Sequence, residues 1–479
     1  MTEPPKLPVP LGTHAAVWFI GDREVSGEFE ARAFSHPALS LYGEVERPAP
    51  SRHDFSPADH EFERLAGRLR SGQDVVLRQV EVTEWFPGRG LGGATTAVVG
   101  LNIAEVPDDA YRRVRLQITG SETLFGVAPI RSVRFPGPPD QPGAELYSAE
   151  ANPDADHSWD DEELGITATC AFESRCTYGD PFHYELAFAP IVELTSRAPL
   201  TVEQWIATWV RPLLKVAALA TRRPQKLSWL VVEALPPGDQ ERRSLRPSGQ
   251  LFGSGIAQEA YEAKYPGDPR GRENRPLFTF ATMPVALPVL LRRWRECEED
   301  NNPFVELFGQ ALAHGDLPAR ARFLHLVQAL EALHSYEHRA DDESAQRAFE
   351  TKRAEVLAAL KVSDIERAVM EFIRENWSRR RQDSLSRRLD DLIQRLPAPA
   401  RESLVTSEMT TVAEILEVSE RPILANQYQR LRNHLSHGSR NFGDSELRPW
   451  VRSIERLCRG QALRLLGFDD IAIESALAT

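Results

Sequence analysis

The chain has 479 residues, more than one hydrophobic core usually organises, which predicts two or three domains. Its composition, 42% hydrophobic and 27% charged, is typical of a soluble globular protein, and no apolar run reaches the roughly 18 residues that a membrane-spanning helix needs. A helical membrane protein is therefore excluded. The first residues, MTEPPKLPVPLGTH, do not resemble a secretory signal, so we expect a cytoplasmic location.

The net charge of -13 is unevenly distributed along the chain. Residues 318 to 479 hold 25 Lys and Arg against 25 Asp and Glu, so the whole acidic excess lies before residue 318. Contacts with phosphate groups need a cationic surface. Only the C-terminal part is therefore suited to approach RNA.

The N-terminal part alternates between apolar and polar residues with a period near two. From about residue 13 to 135, stretches such as QDVVLRQVEVTEWF and TTAVVGLNIAEV are separated by Gly, Pro and Asp turns, which predicts an antiparallel sandwich or barrel. Residues 136 to 163 combine prolines with a run of acids and predict an exposed connection. ITATCAFES and FHYELAFAPIVEL then resume the strand pattern.

The period becomes helical at residues 201 to 221, with Thr201 as the candidate N-cap, and KLSWLVVEAL reads again as a strand. From Pro288 onward nearly every segment has apolar residues at three- and four-residue spacing. These helical segments include FLHLVQALEALHSYEH, SAQRAFETKRAEVLAAL, DSLSRRLDDLIQRL and TVAEILEVSE. We therefore predict an α+β multidomain protein, with a β-rich domain at 1–200, a mixed α/β continuation at 201–300 and an all-α domain at 301–479.

Several patterns that suggest a ligand are weak. GRGLGG at 88–93 satisfies GxGxxG formally but lacks the lysine of a phosphate-binding loop and precedes a β-branched run, which favours a hairpin loop. The acidic DADHSWDDEE lacks the glycine and the glutamate of a calcium loop. Four scattered cysteines indicate reduced thiols rather than disulfides or zinc; they are Cys170, Cys176, Cys297 and Cys458. We expect neither a metal nor a cofactor.

The stretch LRNHLSHG at 431–438 concentrates arginine, amide and imidazole groups near a predicted helix end. Arg432 and His437 stand five residues apart, which separates their side chains by about 140° on a regular helix unless it ends or bends between them. Gly438 is suited to be that end. The alternative is that these residues are merely cations favoured by the helix dipole. Spacing alone is weak evidence, because Arg320 and His325 repeat it as a solvent-facing arginine and a helix histidine.

The motif and its neighbouring segments resemble a known protein family. RNHLSH resembles the Arg-polar-x-x-x-His motif of HEPN domains, and FLHLVQALEALHSYEH resembles the first long helix of those domains in ApeA-type anti-phage proteins. WVRPLLKVAALATRRP is similar to a segment in the N-terminal parts of the same proteins. The resemblance implies a HEPN-type helical bundle that acts as a metal-independent, toxic endoribonuclease in abortive infection. It also implies that the β-rich N-terminal region is a sensor or regulator, with a phage-derived trigger as a partner.

Cleavage of RNA by its own 2'-hydroxyl needs a base, an acid and positive charge at the phosphate. His437 is the candidate acid or base. Arg432 would stabilise the phosphate, and Asn433 would bind a phosphate oxygen or orient His437. His434 is either a second acid/base group or an exposed helix residue. Because one motif supplies one well-defined histidine, we predict a homodimer through the helical domain that brings two motifs to one cleft.

Two further assignments are open. The resemblance suggests that Glu331 lies near the Arg/His site, although an ion pair or a solvent-facing residue is an equal alternative. An arginine cluster could follow an RNA backbone, tRNA included, or form a solvated helix face; it comprises Arg379, Arg380, Arg381, Arg387 and Arg388.

The competing hypothesis for the whole chain is a catalytically silent HEPN dimerisation or binding module with a ligand-binding β domain. The acidic N-terminal surface also suggests restraint of the nuclease.

Overall fold

The computed structural model divides the chain into two compact units, Met1–Arg292 and Arg293–Thr479. It describes residues 10–43, 58–86, 88–107, 110–134, 148–176, 186–234, 246–258, 275–313, 317–363, 365–377, 384–409, 424–438 and 440–478. The division falls a few residues after Pro288, from which the sequence pattern predicts helices. The finer boundaries at residues 200 and 300 stay an interpretation.

The first unit begins with a closed antiparallel barrel of six strands. They are β1 (Gly12–Ile20), β2 (Arg23–Ala31), β3 (Ala38–Leu41), β4 (Ala58–Leu69), β5 (Asp74–Phe86) and β6 (Arg89–Leu101). Their order is β6-β3-β2-β1-β4-β5, and β5 pairs back onto β6 to close the ring. Alternate residues point inward, as the period-two pattern requires. Of the two predicted β architectures, the barrel is the one observed in this segment.

Aromatic and aliphatic side chains fill the barrel core. Trp18, Phe29 and Leu41 are fully buried, and the Phe29 ring packs edge-on against Phe252 with centroids 5.9 Å apart. Gly27 makes room for Trp18, because a Cβ there would lie 2.7 Å from the indole nitrogen. The hairpin loop predicted for GRGLGG is observed only at Gly88, which has a φ of +85° in the turn between β5 and β6, whereas residues 89–93 belong to strand β6.

Eight more strands lie among the described residues of the rest of the unit, and six of them extend the sheet beyond the barrel. They are β7 (Ala110–Ile118), β8 (Ile130–Arg134), β9 (Ser148–Ala151), β10 (His157–Asp161), β11 (Ile166–Cys176), β12 (Leu186–Thr201), β13 (Leu227–Glu233) and β14 (Ser248–Gly253). Their order is β10-β11-β12-β7-β13-β14, with β14 paired to β6, while β8 and β9 form a separate hairpin sheet. The prediction that 136–163 is only a connection is wrong, because β9 and β10 lie within it.

Short helices connect these strands. They are a 3-10 turn (Ile103–Glu105), α1 (Ser121–Phe125), α2 (Val202–Trp205), a π-helical turn (Ile206–Val210) and α3 (Arg211–Thr221). Thr201 caps α2 as predicted: its hydroxyl accepts from the Gln204 amide at 3.3 Å, and the Gln204 side chain accepts from the Thr201 amide at 2.9 Å. The helical period read at 201–221 is therefore confirmed.

The second unit is helical throughout its described residues. Its helices are α4 (Leu287–Glu299, which begins in the first unit), α5 (Pro303–Ala313), α6 (Ala319–Glu337), α7 (Arg339–Val362), α8 (Arg367–Asn376), α9 (Leu385–Gln394), α10 (Ala398–Glu402), a 3-10 turn (Ser407–Met409), α11 (Leu424–His437), α12 (Asp444–Leu465) and α13 (Asp470–Leu477). The predicted helix TVAEILEVSE lies outside the described residues. None of the helices in the described ranges is long and apolar enough to cross a membrane.

Helix α6 lies at the centre of the bundle, in contact with α5, α9, α11 and α12. Phe323 on α6, Tyr428 on α11 and Trp450 on α12 are buried together, with Tyr428 ring centroids 6.2 Å and 6.1 Å from the other two. The Tyr428 and Ser453 hydroxyls are 2.5 Å apart, which gives the buried phenol a polar partner. Burial raises the pKa of Tyr428 far above its usual range.

A buried ion-pair network also joins α6 to α12. The Arg322 guanidinium lies 2.9 Å from a Glu455 carboxylate oxygen, and Arg459 lies 2.5 Å from the same oxygen. The three side chains are only 14%, 11% and 8% exposed. Burial lowers the pKa of Arg459, and Glu455 opposes that shift. One carboxylate thus compensates two largely desolvated cations.

Replacing Glu455 by Gln should destabilise the helical unit by about 3–5 kcal/mol, because removal of one partner leaves buried charge uncompensated. Equilibrium urea unfolding of the full chain, followed by far-ultraviolet circular dichroism, measures the change. The control is Glu408→Gln, which breaks an exposed pair with Arg452 and should cost less than about 1 kcal/mol. Equal losses in the two variants would contradict the role given to burial.

Candidate active site

The motif lies where the C-terminal end of α11 meets the N-terminal ends of α6 and α12. The Arg320 guanidinium on α6 donates to the Leu435 carbonyl in the last turn of α11. Asp444, at the start of α12, accepts from the Ala319 backbone amide through Oδ1 at 3.1 Å. Each contact satisfies a group that a helix end leaves unpaired. The three helix ends therefore have fixed positions relative to one another.

Helix α11 continues through His437 and ends at Gly438, which has a φ of +65°. The predicted stop at Gly438 is confirmed, and it comes after both motif residues rather than between them. Leu431 and Leu435 are buried, whereas Asn433 and His437 are exposed. Asn433 and His437 are one turn apart and share a face, whereas Arg432 leaves the helix about 140° from His437.

The Arg432 side chain compensates for this separation in part. It is half-buried, and its guanidinium donates to the Asn433 side-chain oxygen at 3.4 Å. Since Asn433 lies between Arg432 and His437 around the helix, the contact directs the cation toward the face that carries His437. The arrangement brings a permanent cation and an exposed imidazole to one end of the helix.

The segment after Gly438 folds back against His434. The His434 ring packs edge-on to Phe442 with centroids 6.4 Å apart, and Phe442 is buried. The Arg440 guanidinium lies over the Phe442 ring at 5.6 Å. The sequence analysis did not identify Arg440 or Phe442. An arginine and an aromatic residue within four positions of the predicted helix end could have indicated a cation–π contact there.

The other predicted site residues lie elsewhere in the unit. Glu331 is half-buried on α6, eleven residues beyond Arg320 and so about 16 Å further along the helix from the end of α11. Arg388 is half-buried and donates to Ser335 Oγ at 2.8 Å, while Arg387 is exposed. Arg379, Arg380 and Arg381 lie outside the described residues. The functional roles given to all of these residues stay predictions.

The second arginine-histidine pair has structural partners. Arg320 is exposed yet reaches the Leu435 carbonyl, as described above. His325 is half-buried and its Nε2 lies 2.8 Å from the Leu307 carbonyl on α5. Both residues therefore support the packing of α6, and the same five-residue spacing produces two different environments.

A separate cluster at the other end of α6 has the side chains to hold a metal ion. His334, His338 and Asp391 are half-buried and present ligand atoms within 4.8 Å of one another. The Arg395 guanidinium lies 2.5 Å from Asp391 Oδ2 and 2.7 Å from His338 Nε2. Burial, then the neighbouring His338, lowers the pKa of His334. An arginine already supplies the positive charge here, so a metal ion would have to displace it.

These observations define the C-terminal unit as a helical bundle with a surface site of arginine, amide and imidazole groups at one helix end. Residues 324–469 match the family model described as Apea-like HEPN. The chain therefore carries an ApeA-like HEPN domain in its C-terminal part, which confirms the resemblance for that segment. HEPN domains are typically ribonucleases and generally act in defence systems. No curated protein and no solved structure matches the chain significantly.

Replacing Gly438 by Ala should loosen the end of α11 at a cost of about 1 kcal/mol, the usual penalty for a side chain in the left-handed region. A Cβ at Gly438 meets nothing within 4 Å, so the cost is conformational rather than steric. Hydrogen exchange of the last turn of α11 should become faster. Gly438→Asn should have a smaller effect, because asparagine tolerates this region better. Unchanged exchange in Gly438→Ala would show that the turn does not depend on glycine.

Proposed function

We propose that the protein is a metal-independent endoribonuclease that acts as an effector of bacterial anti-phage defence. The observation that carries the proposal is the end of α11, where His437 is exposed and Arg432 contacts Asn433, which shares a helix face with His437. The match of this segment to a family of typical ribonucleases supports the same activity. The finer role, a cytoplasmic toxin that arrests growth by abortive infection, follows the resemblance to ApeA-type proteins.

The chemistry requires no group beyond the side chains and the RNA. A base removes the proton of the 2'-hydroxyl, the 2'-oxygen attacks the adjacent phosphorus, and the bond to the 5'-oxygen of the next nucleotide breaks. An acid then protonates that leaving oxygen, so the products are a 2',3'-cyclic phosphate and a 5'-hydroxyl end. His437 serves as one of the two proton-transfer groups. Arg432 stabilises the charge that accumulates on the phosphate.

The second proton-transfer group has two candidate sources. One is His434 of the same chain, which is half-buried against Phe442. The other is His437 of a second copy, brought to the same cleft by a two-fold dimer. We favour the second, because His437 is exposed at the end of its helix and a two-fold axis near that end places identical groups opposite each other. This choice makes the protein a homodimer through its HEPN domain.

The N-terminal unit is proposed to be the sensor or regulator. Counted over the two units, residues 1–292 hold 30 Lys and Arg against 39 Asp and Glu, a net charge of -9, whereas residues 293–479 hold 27 against 31, a net charge of -4. An acidic unit in the same chain competes with RNA for the cationic groups of the nuclease. Perception of a phage-derived component would relieve that competition. Cellular RNA, tRNA among the candidates, is then the substrate.

Purified protein should cleave total tRNA or a structured messenger in the presence of EDTA. Arg432→Ala and His437→Ala should each lose cleavage, with the histidine variant slower by about 10²–10⁴-fold, the usual contribution of a general acid or base. Arg452→Ala is the matched control, since Arg452 is an exposed arginine on α12 paired with Glu408. It should cleave at the rate of the wild-type protein.

A catalytically silent HEPN module gives a different set of results. In that case the wild-type protein is inert in the cleavage assay. Its expression toxicity in cells, with and without phage infection, is then compared with that of His437→Ala. Equal toxicity of the two proteins would count against the nuclease and favour a binding module with a ligand-binding β domain.

A heterodimer of wild type and His437→Ala, purified through two different tags, tests the shared cleft. If acid and base are the two copies of His437, the heterodimer should fall far below half of the wild-type rate, toward the rate of the His437→Ala homodimer. If His434 of each chain is the partner of His437, independent sites should leave about half of the rate. Light scattering of each preparation checks that the particles are dimers.

A further inference from the structure

The turn after α11 holds an arginine in a defined place beside the candidate site. Arg440 is exposed, and its guanidinium lies 5.6 Å from the centroid of the Phe442 ring. Phe442 is itself buried, and its ring packs edge-on to His434. A ring fixed on both sides limits the freedom of the cation above it. This contact places Arg440 near the last turn of α11, which carries His434.

The surroundings of Arg440 differ from those of neighbouring exposed arginines. Arg448 lies 3.1 Å from Asp444 and Arg452 pairs with Glu408. Among the residues that the structure describes, no carboxylate lies within ion-pair distance of Arg440. Its described interaction is instead with the face of an aromatic ring, and the residue is exposed, so an incoming group can reach its N–H donors. Such a group suits an incoming anion.

The proposed function brings an anion to this place. RNA carries a phosphate at every nucleotide. When one phosphate is bound by Arg432 and His437, the neighbouring phosphates of the strand therefore lie over the adjoining protein surface. Arg440 follows His437 by three residues and is tied to His434 through Phe442. The bidentate geometry of arginine fits a phosphate oxygen pair better than the point charge of lysine does.

We propose that Arg440 binds a phosphate of the RNA strand next to the cleaved bond, and that Phe442 is the platform that positions it. This inference rests on the proposed nuclease function and assigns a binding role outside the Arg432 and His437 pair. Arg440 then contributes to the affinity for RNA and to the alignment of the strand, while proton transfer stays with the histidines. A change at Arg440 should therefore affect KM more than kcat.

The direct test uses an RNA oligonucleotide with 2'-O-methyl groups, which lacks the nucleophile and cannot be cleaved. Fluorescence anisotropy of the full chain at several salt concentrations gives its affinity and salt dependence. Arg440→Ala should weaken binding about tenfold, as expected for loss of a charge-assisted contact. It should also lower the slope of log K against log salt by about 0.7, the value for one phosphate of a single strand. Arg448→Ala, the matched control with a carboxylate partner, should change neither quantity.

Two further variants separate a phosphate contact from a structural role. Arg440→Lys should keep the salt slope near that of wild type but recover only part of the affinity, since lysine retains the charge without the fork. Phe442→Leu keeps an apolar group in the buried position and removes the aromatic face, so it should weaken binding less than Arg440→Ala does. With cleavable RNA, Arg440→Ala should raise KM about tenfold and leave kcat within about twofold.

The results separate this inference from the proposed function. If His437→Ala abolishes cleavage while Arg440→Ala binds and cleaves as wild type does, the nuclease stands and the role of Arg440 is overturned. A tenfold loss of affinity with an unchanged salt slope would also overturn the phosphate contact. If the wild-type protein neither binds nor cleaves RNA, and is no more toxic during phage infection than His437→Ala, the proposed function fails, and the inference fails with it.

Discussion

The position of every group in the candidate site depends on how the end of α11 is held against the beginnings of α6 and α12. Helix ends leave carbonyls and amides without partners inside the helix, and such groups are costly when they lose water. Here Arg320 donates a hydrogen bond to a carbonyl in the last turn of α11, and Asp444 accepts one from an amide in the first turn of α6. The same contacts that satisfy the backbone thus fix the place of His437, two residues beyond Leu435.

Residue periodicity was sufficient to predict most of the fold, because burial on one face repeats every second residue in a strand and every three to four residues in a helix. It failed at β9 and β10, where prolines and acids surround short strands. In β10, at the edge of the sheet, His157 and Trp159 are half-buried between exposed residues, so burial alternates but no residue of the strand is fully buried. Edge strands tolerate polar residues that a central strand excludes, and composition alone then resembles a loop.

Some features of the candidate site can be predicted from neighbouring residues in the sequence, whereas others depend on contacts between residues that are distant in the sequence. The stop at Gly438 and the exposed face of Asn433 and His437 follow from sequence neighbours, which helix geometry relates directly. The contact of Arg320 with Leu435 joins residues 115 positions apart, and the identical Arg320 to His325 spacing gave no sign of it. Arg395 is such a case only in part, because its contact with Asp391 joins residues four positions apart, whereas its contact with His338 joins residues 57 positions apart. Tertiary contacts of this kind are not encoded in a local pattern.

The helical unit has a net charge of -4, and burial and ion pairing distribute its charges unevenly. Arg322 and Arg459 are held inside with Glu455, and Arg395 is engaged with Asp391 and Glu337. These arginines contribute little to the outer field, since the carboxylates beside them cancel it at short range. Arg432 and Arg440 differ, because their described contacts are with an amide oxygen and an aromatic ring rather than with an acid. The end of α11 therefore carries two arginines, Arg432 and Arg440, that form no ion pair within the described part of the chain, and an exposed imidazole lies at the same helix end.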